Sequence, residues 1–235
     1  MIKKRKKFRT LPFILLLLLT VVTSALLLKD QIGLAGGEEA GEENFLILVN
    51  RQNEVPPHYT VDLTLLSNGE SVATAIVPAL QQMFDDARAQ GVYPVVASGY
   101  REAEEQQALL DEKIAAYIAS GYDRENAAAL AETYVSPPGS SEHQLGLSVD
   151  INADPMKSTA EDVYTWLAEN AHQYGFILRY PECKEELTGT HYEAWHYRYV
   201  GKTAAVTIYK ENLCLEEYIE QYVDSAVDVE KEAEE

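Results

Sequence analysis

Four side chains in two short segments have the residue types of a metal-dependent hydrolase. Residues 141–150 (SEHQLGLSVD) contain His143 and Asp150, and residues 193–196 (EAWH) contain Glu193 and His196. Two imidazoles and a carboxylate form a common ligand set for catalytic zinc, which keeps its fourth position for water. Glu193 would then be free to accept and deliver a proton. The sequence therefore predicts a metallohydrolase with one Zn²⁺ ion, held by His143, Asp150 and His196.

The first segment can bring its two ligands together only if the chain bends. The alternation of apolar and polar residues over 147–152 is typical of a strand with one buried face, and it places Asp150 on the polar face. His143 lies seven residues earlier, which is the wrong parity for a straight strand. Gly146 is the residue that can supply the bend.

The second segment needs a turn for the same reason. Glu193 lies three residues before His196, so a strand would point the two side chains to opposite faces. A turn through Ala194 and Trp195 would bring Glu193 to the metal as a base rather than a ligand. His191 also gives an H-x-E-x-x-H pattern, which leaves open a ligand pair made by His191 and His196.

Hydrophobic periodicity predicts the elements that must position these residues. Strands are predicted at 45–49, 93–97, 147–152, 176–180 and 195–200, and helices at 75–90, 102–119, 123–134, 159–174 and 203–222. The predicted fold class is α+β: a single domain over 45–222, with a small, mainly antiparallel sheet flanked by helices and the zinc site on the sheet.

The N-terminus has the composition of an export leader. The first nine residues contain six cations, and residues 11–28 carry no charge, so we expect a signal anchor or a signal peptide over 1–28. Residues 29–44 are predicted to be an acidic Gly/Glu linker, and 223–235 an acidic disordered tail. We expect a monomer in the cell membrane, held by a single N-terminal helix, with its catalytic domain outside the cytoplasm, or a secreted protein if the leader is cleaved.

Charge and cysteine content exclude several classes of protein. The net charge is −19, and it becomes −19 − 6 = −25 without the six leader cations, so the surface repels nucleic acid. Only two cysteines are present, which excludes a disulfide-dense scaffold and a four-cysteine zinc site. Cys183 and Cys214 could form one disulfide or remain a pair of buried free thiols.

Several separated motifs resemble one family. The patterns S-x-H-x-x-G-x-[AS]-x-D and E-x-W-H, an upstream S-G-Y-R at 98–101 and the segment NAHQYGFILRYP at 170–181 are similar to those of the VanY-type D-alanyl-D-alanine carboxypeptidases. The resemblance implies a zinc carboxypeptidase that removes the terminal D-alanine from peptidoglycan stem peptides. It also implies the metal ligands and the base already proposed from the residue types.

The resemblance adds substrate-binding residues. It implies that Arg101 holds the substrate and stabilises charge on the scissile carbonyl oxygen, a task that suits a planar guanidinium. Weaker candidates for substrate contacts are Ser141, Ser98, Gln106, Tyr100 and Trp195. For the two aromatic residues, a place in the hydrophobic core is the more common alternative, because aromatic side chains beside a strand are more often core.

Other functions stay open on the sequence. Within the same fold, the protein could be an L,D-carboxypeptidase acting on tetrapeptide stems, a D,D-dipeptidase or an endopeptidase, since these differ in pocket shape. It could also be a non-catalytic cell-wall binding module, or a membrane-tethered structural protein with a fortuitous motif. The presence of Glu193 argues against the binding module, because a purely structural zinc has no use for an adjacent base.

Overall fold

A four-stranded antiparallel sheet carries the polar segments identified in the sequence. A computed structural model describes residues 45–224. The strands are β1 (Leu63–Leu65), β2 (Ser71–Ala73), β3 (Pro94–Ser98), β4 (Ser148–Ala153), β5 (Phe176–Leu178) and β6 (His196–Tyr199). The strand order is β3-β4-β6-β5, while β1 and β2 form a separate hairpin. The predicted α+β class with a small antiparallel sheet is confirmed.

Helices cover the sheet and connect its strands. They are α1 (Val77–Ala89), α2 (Ala103–Ala119), α3 (Arg124–Glu132), α4 (Ala160–Asn170), α5 (Glu185–Thr188), α6 (Lys202–Glu211) and α7 (Leu215–Tyr218). Short 3-10 helices span Thr74–Ile76, Glu142–Leu145 and Ala171–Tyr174, and a π-helix spans Ile219–Asp224. Within residues 45–224, no helix is long and apolar enough to cross a membrane.

The two faces of the sheet have different chemistry. Val149, Ile151 and Tyr197 are buried in the main hydrophobic core, together with Met83 of α1 and Phe176 of β5. The intervening residues of β4 and β6 point to the opposite face, because side chains alternate along a strand. In the antiparallel register of β4 and β6, Asp150 pairs with His196 and Ser148 with Arg198. One face therefore packs the core, and the other assembles polar groups.

Most predicted elements are confirmed, with small changes at their ends. The predicted helix near 159 begins with a capping box formed by Thr159 and Asp162, one residue later than the pattern at Ser158 indicated. The proposed leader, the linker and residues 225–235 of the proposed tail lie outside the described residues. Both cysteines are free, with Cys214 buried and Cys183 exposed, so neither a disulfide nor a pair of buried thiols is observed.

Two expectations about elements are wrong, and one pair of strands was missed. Residues 45–49 form no strand; instead, the Arg198 guanidinium donates hydrogen bonds of 2.9 Å to the carbonyls of both Phe45 and Ile47. The single helix predicted over 203–222 is divided, because Asn212 adopts a left-handed conformation (φ 53°, ψ 47°) that ends α6. The hairpin of β1 and β2 was missed, since each of its strands has only three residues and gives little periodic signal.

A fully buried carboxylate joins three parts of this fold. Glu142, in the 3-10 helix before β4, accepts a 2.8 Å hydrogen bond from Arg179 Nε and lies 2.8 Å from Arg198 Nη1. Both arginines are fully buried, and Arg179 also bonds to Glu216 of the C-terminal region. The guanidinium groups hold the pKa of Glu142 far below its usual range, although burial alone would raise it.

Removal of this buried charge should destabilise the domain strongly. We expect Glu142→Gln to lower the free energy of unfolding by about 3–5 kcal/mol, because two buried guanidinium groups would lose their shared partner. Urea denaturation followed by circular dichroism measures the change. Glu104→Gln, at an exposed position of α2, is the matched control and should change stability by less than about 0.5 kcal/mol. Equal stability of the two variants would contradict a structural role for Glu142.

Candidate metal centre and cleft

The bend between His143 and Asp150 is present at Gly146. His143 lies in the 3-10 helix Glu142–Leu145, and Gly146 ends that helix in a left-handed conformation with φ 69° and ψ 5°. A Cβ atom at Gly146 would lie 3.0 Å from the backbone nitrogen of Ala73, so a side chain would meet both strain and crowding. The predicted role of Gly146 as the bending residue is confirmed.

The three predicted ligands converge on one point. One ligand atom from each of His143, Asp150 and His196 lies within 4.8 Å of the others. The distance from Asp150 Oδ2 to His143 Nε2 is 3.4 Å, and that from Asp150 Oδ1 to His196 Nδ1 is 3.1 Å. The two imidazole rings meet edge to face, with their centroids 4.9 Å apart. His143 therefore faces the Asp150 carboxylate with Nε2, whereas His196 faces it with Nδ1.

Neighbouring acceptors fix which nitrogen of His143 faces the site. His143 Nδ1 lies 2.6 Å from the carbonyl oxygen of Gly99, so Nδ1 carries the proton and donates it there. His143 Nε2 is buried and has no hydrogen-bond partner in the described part of the chain. A buried, deprotonated imidazole nitrogen aimed at a carboxylate and a second imidazole is suited to bind a metal.

Gly99 permits this contact because it has no side chain. A Cβ atom at Gly99 would lie 2.1 Å from the carbonyl oxygen of Ser71, a distance that no other residue could tolerate without moving the backbone. Gly99 N donates a 2.9 Å hydrogen bond to Glu70, and the Gly99 carbonyl oxygen accepts the hydrogen bond from His143 Nδ1. The second residue of the S-G-Y-R motif therefore anchors a metal ligand.

His196 has its other nitrogen turned towards the buried carboxylate. His196 Nε2 lies 3.8 Å from Glu142 Oε2, so Nδ1 is the nitrogen that faces Asp150. Burial lowers the pKa of His196, but Asp150 and Glu142 outweigh it and raise the pKa to about 9. The surroundings of His196 therefore favour a positive charge, which either a proton or a metal ion can supply.

Glu193 reaches the site through the predicted turn. His196 N donates a 3.2 Å hydrogen bond to the carbonyl of Glu193, and the Glu193 carboxylate lies 3.7 Å from His196 Nδ1. Burial raises the pKa of Glu193 to about 7, although His196 and Arg101 oppose that rise. A carboxylate with a pKa near neutrality, beside the ligand group, is suited to exchange protons.

Arg101 lies on the other side of Asp150. Its Nη2 is 3.4 Å from Asp150 Oδ2, and its Nη1 donates a 2.8 Å hydrogen bond to Gln106 Oε1. Gln106 is buried and in turn donates to the carbonyl of Ser136 at 2.6 Å. Gln106 therefore holds the guanidinium in place. Because both its oxygen and its nitrogen already form hydrogen bonds, a substrate contact of Gln106 would have to form in addition to them.

A cleft of about 400 Å³ opens over the candidate ligands. The predicted residues that line it are His143, Asp150, His196, Glu193, Arg101, Gln106, Ser141 and Trp195. Ser98 and Tyr100 are not among its lining residues; Ser98 pairs with Asp150 in the sheet, and Tyr100 N bonds to the carbonyl of Ser71. Trp195 is 38 % exposed at the edge of the cleft, which favours the groove over the core.

Sequence reasoning missed other residues that shape the site. Glu142 sits inside the first motif, but its role depends on Arg179 and Arg198, which no spacing rule connects to it. Tyr180, whose ring lies 4.9 Å from that of His196, also lines the cleft. His191 is exposed, and its ring centre lies 4.8 Å from that of Tyr134, outside the ligand group, so His191 and His196 do not form a ligand pair.

The donor set fits a zinc ion. Two imidazole nitrogens and one carboxylate oxygen, with an open cleft above them, have the composition of a catalytic zinc site. The second ring nitrogen of His143 faces a backbone carbonyl, and that of His196 faces a carboxylate. Metal-binding histidines usually have such an acceptor at the nitrogen that does not bind the metal. We therefore assign His143, Asp150 and His196 as the candidate metal ligands.

Comparisons with known proteins agree with this geometry. Residues 69–202 match the VanY family, described as D-alanyl-D-alanine carboxypeptidase. A D-alanyl-D-alanine carboxypeptidase of Enterococcus faecalis is 58% identical over 188 residues, which cover 79% of this chain and 70% of that protein.

Two solved structures are similar over nearly the whole of their chains. The first is a zinc complex of a variant of the D,D-pentapeptidase VanY from a VanB-type vancomycin resistance cassette. It is 59% identical, with a TM-score of 0.74, and the match covers 75% of this chain and 99% of the other. The second, VanYB in complex with D-alanine-D-alanine, is 58% identical, with a TM-score of 0.75, and the match covers 76% and 98%.

Metal binding should depend on the converging ligands alone. We expect the purified domain to contain about one zinc ion per chain, and we expect His143→Ala and Asp150→Ala each to lose most of it. Elemental analysis after dialysis measures the stoichiometry. The control is His191→Ala, which should keep its zinc because His191 lies outside the ligand group. Full zinc content in both ligand variants would refute the assignment.

Proposed function

The chain belongs to the VanY family of D-alanyl-D-alanine carboxypeptidases, and we propose that it is a zinc-dependent carboxypeptidase that releases the terminal D-alanine from peptidoglycan stem peptides. The observation that carries the proposal is the convergence of His143, Asp150 and His196 within 4.8 Å, beside the buried Glu193. The zinc and D-alanine-D-alanine complexes of the similar proteins support the choice of metal and of substrate.

His143, Asp150 and His196 would hold the zinc ion, and its Lewis acidity would lower the pKa of water and polarise the scissile carbonyl. The protein supplies the proton transfers. Glu193 is placed to accept a proton from the attacking water and to deliver it to the leaving amine, and its pKa of about 7 suits both steps. Its position 3.7 Å from His196 Nδ1 puts it beside the candidate ligands, which supply three metal-binding atoms without it.

Arg101 is proposed to receive the negative charge that develops on the scissile carbonyl oxygen. Its guanidinium is fixed by Gln106 and Asp150, so little reorganisation is needed when charge appears in the cleft. Burial lowers the pKa of Arg101 below its usual value, although the charges of Asp150 and Glu193 oppose that change. Ser141 and Trp195, which line the same cleft, are proposed to contact the substrate; Ser98 and Tyr100 are further from it and would act through the backbone they support.

We propose that the enzyme works outside the cytoplasmic membrane as a monomer. The cationic start and the uncharged run over 11–28 support export or anchoring. The substrate is a component of the cell wall, which lies outside that membrane. A single chain supplies all the candidate ligands and the base, so the site needs no second copy to be complete.

The first test separates catalysis from metal binding. Glu193→Gln should keep about one zinc ion per chain but reduce D-alanine release by about 10²–10⁴-fold, since the proton acceptor is lost. A coupled assay for free D-alanine, with parallel metal analysis, gives both values. Glu186→Gln, at an exposed position, is the control and should behave like the wild type. Undiminished activity of Glu193→Gln would remove Glu193 from the mechanism.

The second test concerns which terminal bond is cleaved. We expect a pentapeptide stem ending in D-alanyl-D-alanine to lose one D-alanine, and a tetrapeptide stem to be cleaved at least tenfold more slowly. Mass spectrometry of the products identifies the bond. Preferred cleavage of the tetrapeptide would make the enzyme an L,D-carboxypeptidase, and release of an intact dipeptide would make it a D,D-dipeptidase. No cleavage of either stem by the zinc-loaded domain would support a non-catalytic binding module.

A further inference from the structure

One cation in the cleft has no carboxylate partner. Lys113 of α2 lines the same cleft as the candidate metal ligands. Its Nζ lies 5.0 Å from the centre of the Tyr134 ring and 5.5 Å from that of Tyr117. Across residues 45–224, no carboxylate lies within ion-pairing distance of this ammonium group. By contrast, Lys157 and Lys184 pair with acidic neighbours at 2.9 and 2.8 Å.

What sets Lys113 apart from other lysines of the described chain is its place among the residues that line the cleft. The chain carries 38 acidic residues against 19 lysines and arginines, so a lysine that lies in the cleft and forms no ion pair is available for a ligand. Two tyrosine rings stabilise the cation and hold it in place, but ring faces leave its hydrogen-bond donors free. An ammonium group held in a cleft with free donors is suited to bind an anionic group of a ligand.

Helix α2 fixes the distance between Lys113 and the reaction centre. Gln106, Leu109 and Lys113 follow one another at helical spacing and all line the cleft. Gln106 marks the inner end, because it bonds to Arg101, which in turn contacts Asp150. Seven residues of helix advance about 10 Å along the helix axis, so the backbones of Gln106 and Lys113 are about 10 Å apart in the wall of the cleft.

We infer that Lys113 binds a carboxylate that the peptide substrate carries about three residues before the scissile bond. The inference rests on the proposed function and deepens it, because it assigns an acidic residue to the substrate. An extended peptide advances about 3.3 Å per residue, so about 10 Å corresponds to three residues. The terminal carboxylate lies only one residue, or about 4 Å, beyond the bond, which keeps it near the metal.

The rest of the outer cleft agrees with an extended peptide. Leu109, between the two polar positions of α2, is 42 % exposed and offers an apolar surface to the chain of the ligand. Tyr134, also 42 % exposed, contacts the ring of His191 and lies beside Lys113. Lys113 is therefore the cationic side chain of the outer cleft lining, and Arg101 is the guanidinium group near the candidate metal ligands.

Two pentapeptides test the inference. Both end in D-alanyl-D-alanine and differ only at the second residue, which carries a free carboxylate in one and a carboxamide in the other. In a five-residue stem, this is the third residue before the scissile bond. We expect zinc-loaded wild-type enzyme to favour the acidic peptide about fivefold in kcat/KM, mainly through KM, as a partly exposed ion pair allows. Raising the salt concentration should reduce the preference.

Variants of one residue identify the source of the preference. Lys113→Met should cleave the two peptides at equal kcat/KM, and Lys113→Arg should keep the preference. The control, Lys157→Met, removes a solvent-exposed lysine that pairs with Asp154, and it should keep the preference of the wild type. If wild type and Lys113→Met discriminate equally, or if Lys113→Met weakens both peptides to the same extent, the inference is wrong.

A binding measurement separates this inference from the proposed function. Calorimetric titration of zinc-loaded Glu193→Gln with the same two peptides reports affinity without cleavage. A preference for the acidic peptide that disappears in Glu193→Gln/Lys113→Met supports the subsite, even if no D-alanine is ever released. Equal affinity for both peptides overturns the subsite and leaves the carboxypeptidase assignment intact.

Discussion

The buried ion cluster around Glu142 is the constraint on which the rest of the site depends. Glu142 is fully buried and is shared by Arg179, at the end of β5, and Arg198 of β6. Isolated burial of any one of these charges would be strongly unfavourable, so the three groups are stable only together. Because Glu142 directly precedes His143 and faces His196, the same cluster fixes both histidines relative to each other.

The cluster also ties the two ends of the described domain to the metal centre. Arg198 holds the carbonyls of Phe45 and Ile47, and Arg179 bonds to Glu216 near the C-terminal end. Arg179 N further bonds to the carbonyl of His196, which continues the pairing of β5 and β6. The segments that flank the catalytic region therefore serve as its support, and a change in the cluster would alter ligand geometry as well as stability.

Local patterns predicted much of this fold, and the failures share a cause. The helix over 77–89 and the strand over 148–153 follow directly from apolar spacing, because each buries one regular face in the core. Residues 45–49 are equally apolar, yet they form no strand, since their carbonyls bind Arg198 in place of a neighbouring strand. Periodicity reports which side chains are buried, but not which backbone groups pair.

The sequence by itself determined the candidate ligands, the candidate base and the need for two bends, because these follow from residue chemistry and from the two-residue period of a strand. It also identified Arg101, through the resemblance of its motif. Only the tertiary structure decided which imidazole nitrogens face Asp150, since the Gly99 carbonyl contacts His143 and the Glu142 carboxylate contacts His196 across the fold. The position of Lys113 in the cleft likewise depends on how α2 packs beside the sheet, and such contacts between distant segments leave no periodic signal in a sequence.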